Sequence, residues 1–351
     1  MVFRASDSYG DFHVRGAMMA GCGSLWVAAV ALLFDLGTSS HALAQNVATP
    51  AVVSIESIPL PSFADLVAGP RSPTEGESCC SEADRTVYER ARTDARFELL
   101  KVIYRSEDLP VVAFVYRPKA ASDRRPVIVY NRGSYVRQNA ARELLVPFHR
   151  LADAGFVVVA PMYRGSEGAP GHDEMGGADL ADLMNIRAVI ASLPYADVSN
   201  VFLYGESRGG MMVLQALRDG FEVRAAATVG TFADLDALLA EDPQVAATAS
   251  QILPGFEANR DAQIERRSAV RWADRISAPL LVMHGGKDTS VSSSHALQLA
   301  AALQRAGKPY ELVIVEGARH VLEPYEAERD DRAIRWFRRR SAPSLDSAVG
   351  P

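Results

Sequence analysis

Cysteine is scarce in this sequence, with three residues among 351. Three cysteines cannot form the disulfide network that holds together small secreted domains, so the chain must fold around an apolar interior. An excess of positive charge is also missing, because 37 lysines and arginines face 43 acidic residues and the net charge is -6. Nucleic acid is therefore not an expected partner. The 48% of hydrophobic and 23% of charged residues are typical of a globular protein.

Motifs for bound phosphates and metals are absent as well. Lys287 is followed by Asp288, so no G-x-x-x-x-G-K-[ST] loop occurs, and no G-x-G-x-x-G opens a helix after a strand. The adjacent residues His172, Asp173 and Glu174 lie in a glycine-rich segment, but nothing elsewhere supplies matching metal ligands. We expect a solvated loop there, with no metal site and no cofactor.

The first 44 residues differ in pattern from the rest of the chain. Residues 17–34 carry no charge, Arg4 and Arg15 precede them, and the small residues of Ala42-Leu43-Ala44 follow. This pattern predicts a signal peptide over residues 1–44, cleavage after Ala44, and a secreted or periplasmic protein without stable membrane association. The alternative is an uncleaved signal anchor that tethers the protein, since about 18 uncharged residues approach the shortest bilayer span.

Composition also sets apart two segments outside the main domain. Five prolines lie in residues 45–84 and predict an arm or linker, and residues 341–351 predict a flexible tail. Cys79 and Cys80 are adjacent in the arm. In an oxidising compartment three alternatives remain for them: a vicinal disulfide, a disulfide to another chain, or two free thiols.

Short apolar runs alternate with amphipathic stretches between residues 85 and 340. Eight runs predict strands: Phe97–Tyr104, Val111–Tyr116, Val127–Tyr130, Phe156–Ala160, Val201–Tyr204, Ala225–Val229, Leu280–Met283 and Leu312–Val315. Five stretches predict helices, at residues 140–154, 178–193, 209–217, 294–306 and 326–338. The first two strands are close enough for a hairpin, and the later strands alternate with helices, which indicates parallel pairing. We expect an α/β domain over 85–340 whose eight-stranded, mostly parallel sheet has helices on both faces, with a small helical cap at 231–275.

A sharp turn after the fifth predicted strand carries the candidate nucleophile. The chain there runs Gly205-Glu206-Ser207-Arg208-Gly209, between an apolar strand and an apolar helix. This is the strand, turn and helix context that G-x-S-x-G requires, with small residues where backbone segments approach each other. We therefore predict that Ser207 is held out at the carboxyl edge of the sheet as the nucleophile of acyl transfer.

A serine hydroxyl needs a base to take its proton and an acid to orient the base. His320 follows the last predicted strand, and Asp288 follows a glycine turn after the seventh, so both reach the same sheet edge. The order Ser207, Asp288, His320 is that of the α/β-hydrolase fold. Four other histidines are assigned to loops, helices or packing: His149, His172, His284 and His295.

The tetrahedral intermediate of acyl transfer needs two hydrogen-bond donors for its oxyanion. The backbone N–H of Arg208 is the first expected donor, because it follows the nucleophile in the turn. The second is expected from the loop after the third predicted strand. A backbone N–H of Arg132 or Gly133 and the side chain of Asn131 remain open as alternatives.

Four segments resemble the catalytic domain of the prolyl oligopeptidase family of serine peptidases. They are Asn131-Arg132-Gly133-Ser134, Tyr163-Arg164-Gly165-Ser166-Glu167-Gly168, Gly205-Glu206-Ser207-Arg208-Gly209-Gly210, and the block from Ala278 to His320. The resemblance covers roughly residues 95–340 and implies an α/β-hydrolase that cleaves small peptides or amides through a Ser-Asp-His triad. Larger members carry a β-propeller, for which the proline-rich arm is too short.

Two substrate classes are compatible with these residues. Because a propeller is missing and Arg208 replaces a frequent aromatic residue, a carboxylesterase or dienelactone-hydrolase-like enzyme is the alternative to a peptidase. Phe232 in the cap and Tyr135 after the third strand are expected to line the substrate pocket. Arg164 is expected to pair with Asp179 or Asp182 beside the active edge. The sequence gives no prediction of the oligomeric state.

Overall fold

The structure is a computed structural model that describes residues 51–68, 82–120, 123–133 and 144–343. Several sequence predictions lie outside the described residues. These are the signal peptide with its cleavage site, Cys79 and Cys80, Tyr135, and the tail beyond residue 343.

The described part of the chain contains one nine-stranded sheet. The strands are β1 (Val52–Ser57), β2 (Phe97–Ser106), β3 (Leu109–Pro118), β4 (Arg125–Asn131), β5 (Val157–Pro161), β6 (Ala196–Glu206), β7 (Ala225–Val229), β8 (Leu280–Gly285) and β9 (Tyr310–Val315). Their order across the sheet is β1-β2-β3-β5-β4-β6-β7-β8-β9. The pairs β1–β2, β2–β3 and β3–β5 are antiparallel. The five pairs in the rest of the sheet, from β5–β4 to β8–β9, are parallel. The predicted hairpin and the mostly parallel sheet are confirmed.

The sheet has one strand more than the eight predicted. β1 lies within the proline-rich segment and pairs with β2 from Val52 opposite Tyr104 to Ser57 opposite Leu100. Val53 and Ile55 are 54% and 47% exposed, so β1 rests on backbone pairing rather than on a buried face. Because β1 has no buried face, the pattern of apolar residues in the sequence did not predict it as a strand.

Helices cover both faces of the sheet, as predicted. They are α1 (Phe63–Ala68), α2 (Glu82–Thr93), α3 (Leu145–Asp153), α4 (Leu180–Ser192), α5 (Arg208–Arg218), α6 (Leu235–Glu241), α7 (Pro243–Ile252), α8 (Arg260–Arg267), α9 (Ser294–Arg305) and α10 (Glu326–Arg338). Within β6, Leu203 packs in the apolar cluster that includes α4, α5 and α9, whereas Phe202 packs in the one that includes α3 and α10. None of the described helices is both long and apolar enough to span a membrane.

The segment predicted as a cap consists of helices and turns. Residues 231–275 contain α6, α7, α8 and two 3-10 turns, and they connect β7 to β8. Phe232, Leu235 and Leu238 are buried in the same apolar cluster as α5 and α9. The cap is thus anchored through its own core residues to the helix that follows Ser207.

Candidate active site

Ser207 occupies a strained turn between β6 and α5. Its φ of 50° and ψ of -122° lie outside the regions favoured by residues with a side chain. Its backbone N–H donates to Val229 O at 2.7 Å. A Cβ on Gly205 would meet the carbonyl of Gly209, and a Cβ on Gly209 would meet the carbonyl of Asn131. The glycines of the motif are therefore required by the close approach of three backbone segments, as the sequence predicted.

Asp288 and His320 form a hydrogen-bonded pair at the same sheet edge. His320 Nδ1 lies 2.8 Å from Asp288 Oδ2, and the carboxylate also accepts the backbone N–H groups of Ser290 and Val291, each at 2.9 Å. Burial alone would raise the pKa of Asp288, but these hydrogen bonds and the neighbouring imidazoles hold it below its usual range. An ionised carboxylate only accepts, so Nδ1 of His320 carries the proton and Nε2 is left to act as a base.

A second histidine supports the carboxylate from inside the protein. His284 is fully buried, and its Nε2 lies 3.2 Å from Asp288 Oδ2 and 2.9 Å from Val291 O. Both partners accept, so Nε2–H is the donor. Sequence reasoning assigned His284 to packing and missed this contact, although the four-residue spacing to Asp288 after a strand was visible.

Ser207 and His320 lie close to the same short segment, residues 229–231. Ser207 is bonded to Val229 O, and Thr231 Oγ1 donates to Ser207 O at 3.2 Å. Gly230 lies between these residues, and a Cβ there would stand 3.3 Å from His320 Nδ1. Among the described residues no hydrogen bond joins Ser207 to His320.

In the loop after β4, the Asn131 amide is engaged elsewhere, so only backbone N–H groups are left as candidate oxyanion donors. Asn131 is buried, and its Nδ2 donates to Val129 O at 3.1 Å and to Tyr204 O at 3.2 Å, which uses both amide hydrogens. Gly133 lies against Ser207, since a Cβ on it would stand 3.3 Å from Ser207 Cβ. Of the predicted second donors, the backbone N–H groups of Arg132 and Gly133 remain.

The side chains of Arg132 and Arg208 enter a buried ionic cluster. Arg208 Nη2 lies 2.6 Å from Asp173 Oδ1 and 2.5 Å from Asp179 Oδ2, while Arg132 Nη2 lies 3.6 Å from Asp173 Oδ2. Tyr163 packs against both guanidinium groups, at 5.3 and 4.6 Å from its ring centre. Burial raises the pKa of Asp173, which Arg208 opposes. Arg208 thus does not project into a substrate subsite.

The glycine-rich loop was predicted to be solvated, and this was wrong for Asp173. Its side chain is fully buried by the two arginines, whereas His172 beside it is exposed. Asp173 is buried as the counter-ion of Arg132 and Arg208, a pairing that spacing in the sequence does not reveal. The described residues contain no group of three metal-ligating side chains.

The predicted partner of Arg164 is Asp182, not Asp179. Arg164 donates from Nη2 to Asp182 Oδ1 at 2.7 Å, and its backbone N–H donates to Oδ2 at 2.7 Å. The Asp182 side chain is fully buried, and Tyr104 Oη donates to its backbone carbonyl at 2.7 Å. Glu107 is a second, exposed partner of Arg164. The turn formed by residues 163–166 is therefore fixed to α4.

Three further residues singled out in the sequence are held by structural contacts: His149, His295 and Phe232. His149 is paired with Asp94 at 2.9 Å, and His295 is fully buried, with Nε2 3.3 Å from Glu241. Burial lowers the pKa of His295. Phe232 is 3% exposed, so it packs into the cap core and leaves little surface for a substrate.

Comparison with known proteins identifies the family of the chain. Residues 146–343, more than half of the sequence, match the prolyl oligopeptidase family. The chain belongs to the prolyl oligopeptidase family. The predicted resemblance is thereby confirmed, and the family places this enzyme among the serine hydrolases.

Relatives of the prolyl oligopeptidase-family chain differ in length. It is 28% identical over 193 residues to an uncharacterised peptidase, YtmA, of Bacillus subtilis, covering 54% of this chain and 75% of YtmA. An acylaminoacyl peptidase of Pyrococcus horikoshii superposes with a TM-score of 0.58 at 19% identity, over 73% of this chain but 44% of that one. An esterase of Pyrococcus furiosus superposes with a TM-score of 0.57 at 18% identity, over 70% of this chain and 92% of the esterase. The chain thus spans less than half of the acylaminoacyl peptidase.

We expect Arg164→Ala to lower both the stability and the turnover of the enzyme. The substitution leaves the carboxylate of Asp182 buried without its cation, which costs about 3–5 kcal/mol of unfolding free energy. Turnover falls because Ser166 in the same turn accepts a hydrogen bond from Arg132, next to Gly133. Urea unfolding and steady-state kinetics measure both effects.

Glu107→Gln is the matched control for this variant. It removes the exposed partner of Arg164 and should change the unfolding free energy by less than about 1 kcal/mol. If Arg164→Ala left stability and turnover at wild-type values, the Arg164–Asp182 pair would not support the fold or the site as we expect.

Proposed function

We propose that this protein is a serine hydrolase that cleaves small peptides or amides through an acyl-enzyme. Ser207 is the nucleophile, His320 the general base and acid, and Asp288 the group that orients the imidazole. The observation that carries the proposal is the 2.8 Å contact of His320 Nδ1 with a buried, ionised Asp288, next to the backbone that holds Ser207. This arrangement leaves Nε2 free to accept the serine proton.

The reaction has two stages at the same residues. Ser207 Oγ attacks the substrate carbonyl while its proton passes to His320 Nε2, and the imidazolium then protonates the leaving amine. Water repeats the sequence to release the acid and restore Ser207. Asp288 stabilises the imidazolium of both stages without taking a proton.

The developing oxyanion is held by backbone donors. Arg208 N–H is the first, and the N–H of Arg132 or Gly133 is the second, because the Asn131 amide is occupied elsewhere. Backbone donors are effective only when they are fixed before the reaction. The ion pairs of Arg208 with Asp173 and Asp179 support this rigidity.

A fluorophosphonate probe is expected to label the folded protein at Ser207. The probe forms a bond to an activated serine Oγ, and mass spectrometry of the digested protein locates it. The variant Ser207→Ala should remain unlabelled and lose about 10⁴-fold or more in kcat. Folded wild-type protein without label at Ser207 would be incompatible with the proposed mechanism.

Peptides and amides are the preferred substrates because of the family, and esters are the second candidate. The likeness to the Pyrococcus furiosus esterase extends over nearly all of that protein, which favours a small-molecule esterase as the alternative.

Matched p-nitroanilides and p-nitrophenyl esters of the same acyl groups separate these functions. We expect turnover of the anilides that disappears in Ser207→Ala. Hydrolysis of the esters with no detectable cleavage of any anilide would instead assign the enzyme to the esterases. The acyl-enzyme chemistry is common to both outcomes.

The leader sequence supports an exported enzyme. Cleavage after Ala44 would give a mature protein that begins at Gln45, in the periplasm or the medium. Edman sequencing of the exported protein should therefore start at Gln45. An intact N-terminus on protein that sediments with membranes would favour the signal anchor.

A further inference from the structure

The backbone beyond His320 is held in an unfavourable conformation. Val321 and Leu322 have φ values of 49° and 67°, and neither residue is glycine. Left-handed conformations are strained for such side chains and persist only where the surroundings impose them. Whatever holds this backbone also sets where the imidazole of His320 lies relative to Ser207.

One buried guanidinium reaches this backbone. Arg329 on α10 has 4% of its side chain exposed, and its Nη1 donates to Val321 O at 3.1 Å. Val321 directly follows His320 in the chain. The hydrogen bond therefore restrains the first of the two left-handed residues.

The same atom also contacts the nucleophile turn. Arg329 Nη1 lies 2.7 Å from Glu206 Oε1, and Glu206 directly precedes Ser207. Nε of Arg329 donates to Asp330 Oδ1 at 2.8 Å, so two carboxylates face one cation. Burial alone would lower the pKa of Arg329, but these carboxylates raise it.

We propose that Arg329 is a positioning residue that fixes the distance and angle between Ser207 and His320. It does so by joining the residue before the nucleophile to the residue after the base through one nitrogen atom. The inference rests on the proposed function, in which these two residues exchange a proton. Arg329 itself contacts neither the substrate nor the reacting atoms.

A positioning role differs from a purely structural one in the kinetic constants it changes. Misplacement of the base by about 1 Å slows the chemical step as much as 100-fold, whereas substrate binding is unaffected. We therefore expect kcat and the rate of fluorophosphonate labelling to fall together, with KM within twofold of the wild-type value.

The test uses the double variant Arg329→Met with Glu206→Gln, because the single substitution would leave Glu206 buried without its cation. Circular dichroism establishes that the variant is folded at the assay temperature. We expect labelling of Ser207 to slow by 10- to 100-fold, and the variant Arg329→Lys to fall between it and the wild type. Arg150→Met removes only the outer contact of Asp330, which lies 3.2 Å from Arg150, and should label at the wild-type rate.

Labelling of the folded double variant within twofold of the wild-type rate would overturn the inference, and so would an equal loss in Arg150→Met. If the double variant does not fold, Arg329→Lys decides, because one ammonium group cannot reproduce the guanidinium contacts. A loss of fivefold or more then supports the inference, and a wild-type rate contradicts it. Failure of the wild type to label at Ser207 would instead reject the proposed function itself.

Discussion

The left-handed turn at Ser207 is the constraint on which the rest of the site depends. A side chain in that conformation costs about 1–3 kcal/mol, so the turn exists only because its neighbours hold it. Gly205 and Gly209 admit the backbone of α5 and of the loop after β4, and Val229 O accepts the N–H of Ser207. Residues at the ends of β4, β6 and β7 are thereby packed against one serine.

Buried charge then secures the turn from both faces of the sheet. Arg208, directly after Ser207, is paired with Asp173 and Asp179 in the region of α4 and α5. Glu206, directly before Ser207, is paired with Arg329 on α10 at the opposite face. Buried ion pairs contribute little net stability, yet breaking one is costly, so each resists displacement of the turn. These contacts hold the residues on both sides of Ser207, the proposed nucleophile, and connect them to Arg132 in the loop after β4 and to Val321 beside His320.

Elements with a regular apolar pattern could be predicted from the sequence, whereas individual contacts between residues far apart in the chain could not. Buried parallel strands such as β7 and β8 are continuous apolar runs, and the turn at Ser207 and the order of Ser207, Asp288 and His320 were read from local motifs. β1 was not predicted because all of its side chains except that of Val52 are exposed, and it is attached to the sheet chiefly by backbone pairing with β2. Asp173 and Arg329 resemble ordinary surface charges in the sequence. Their burial depends on partners 35 and more than 100 residues away, which no local pattern encodes.

A crystal structure of the enzyme after reaction with a fluorophosphonate is the most direct test of the central claim. We predict phosphorus bonded to Ser207 Oγ and a phosphoryl oxygen about 2.7–3.1 Å from the N–H of Arg208 and from that of Arg132 or Gly133. His320 Nε2 would lie beside the bonded Oγ, with Nδ1 still on Asp288. An adduct on another residue, or a phosphoryl oxygen turned away from these backbone donors, would contradict it.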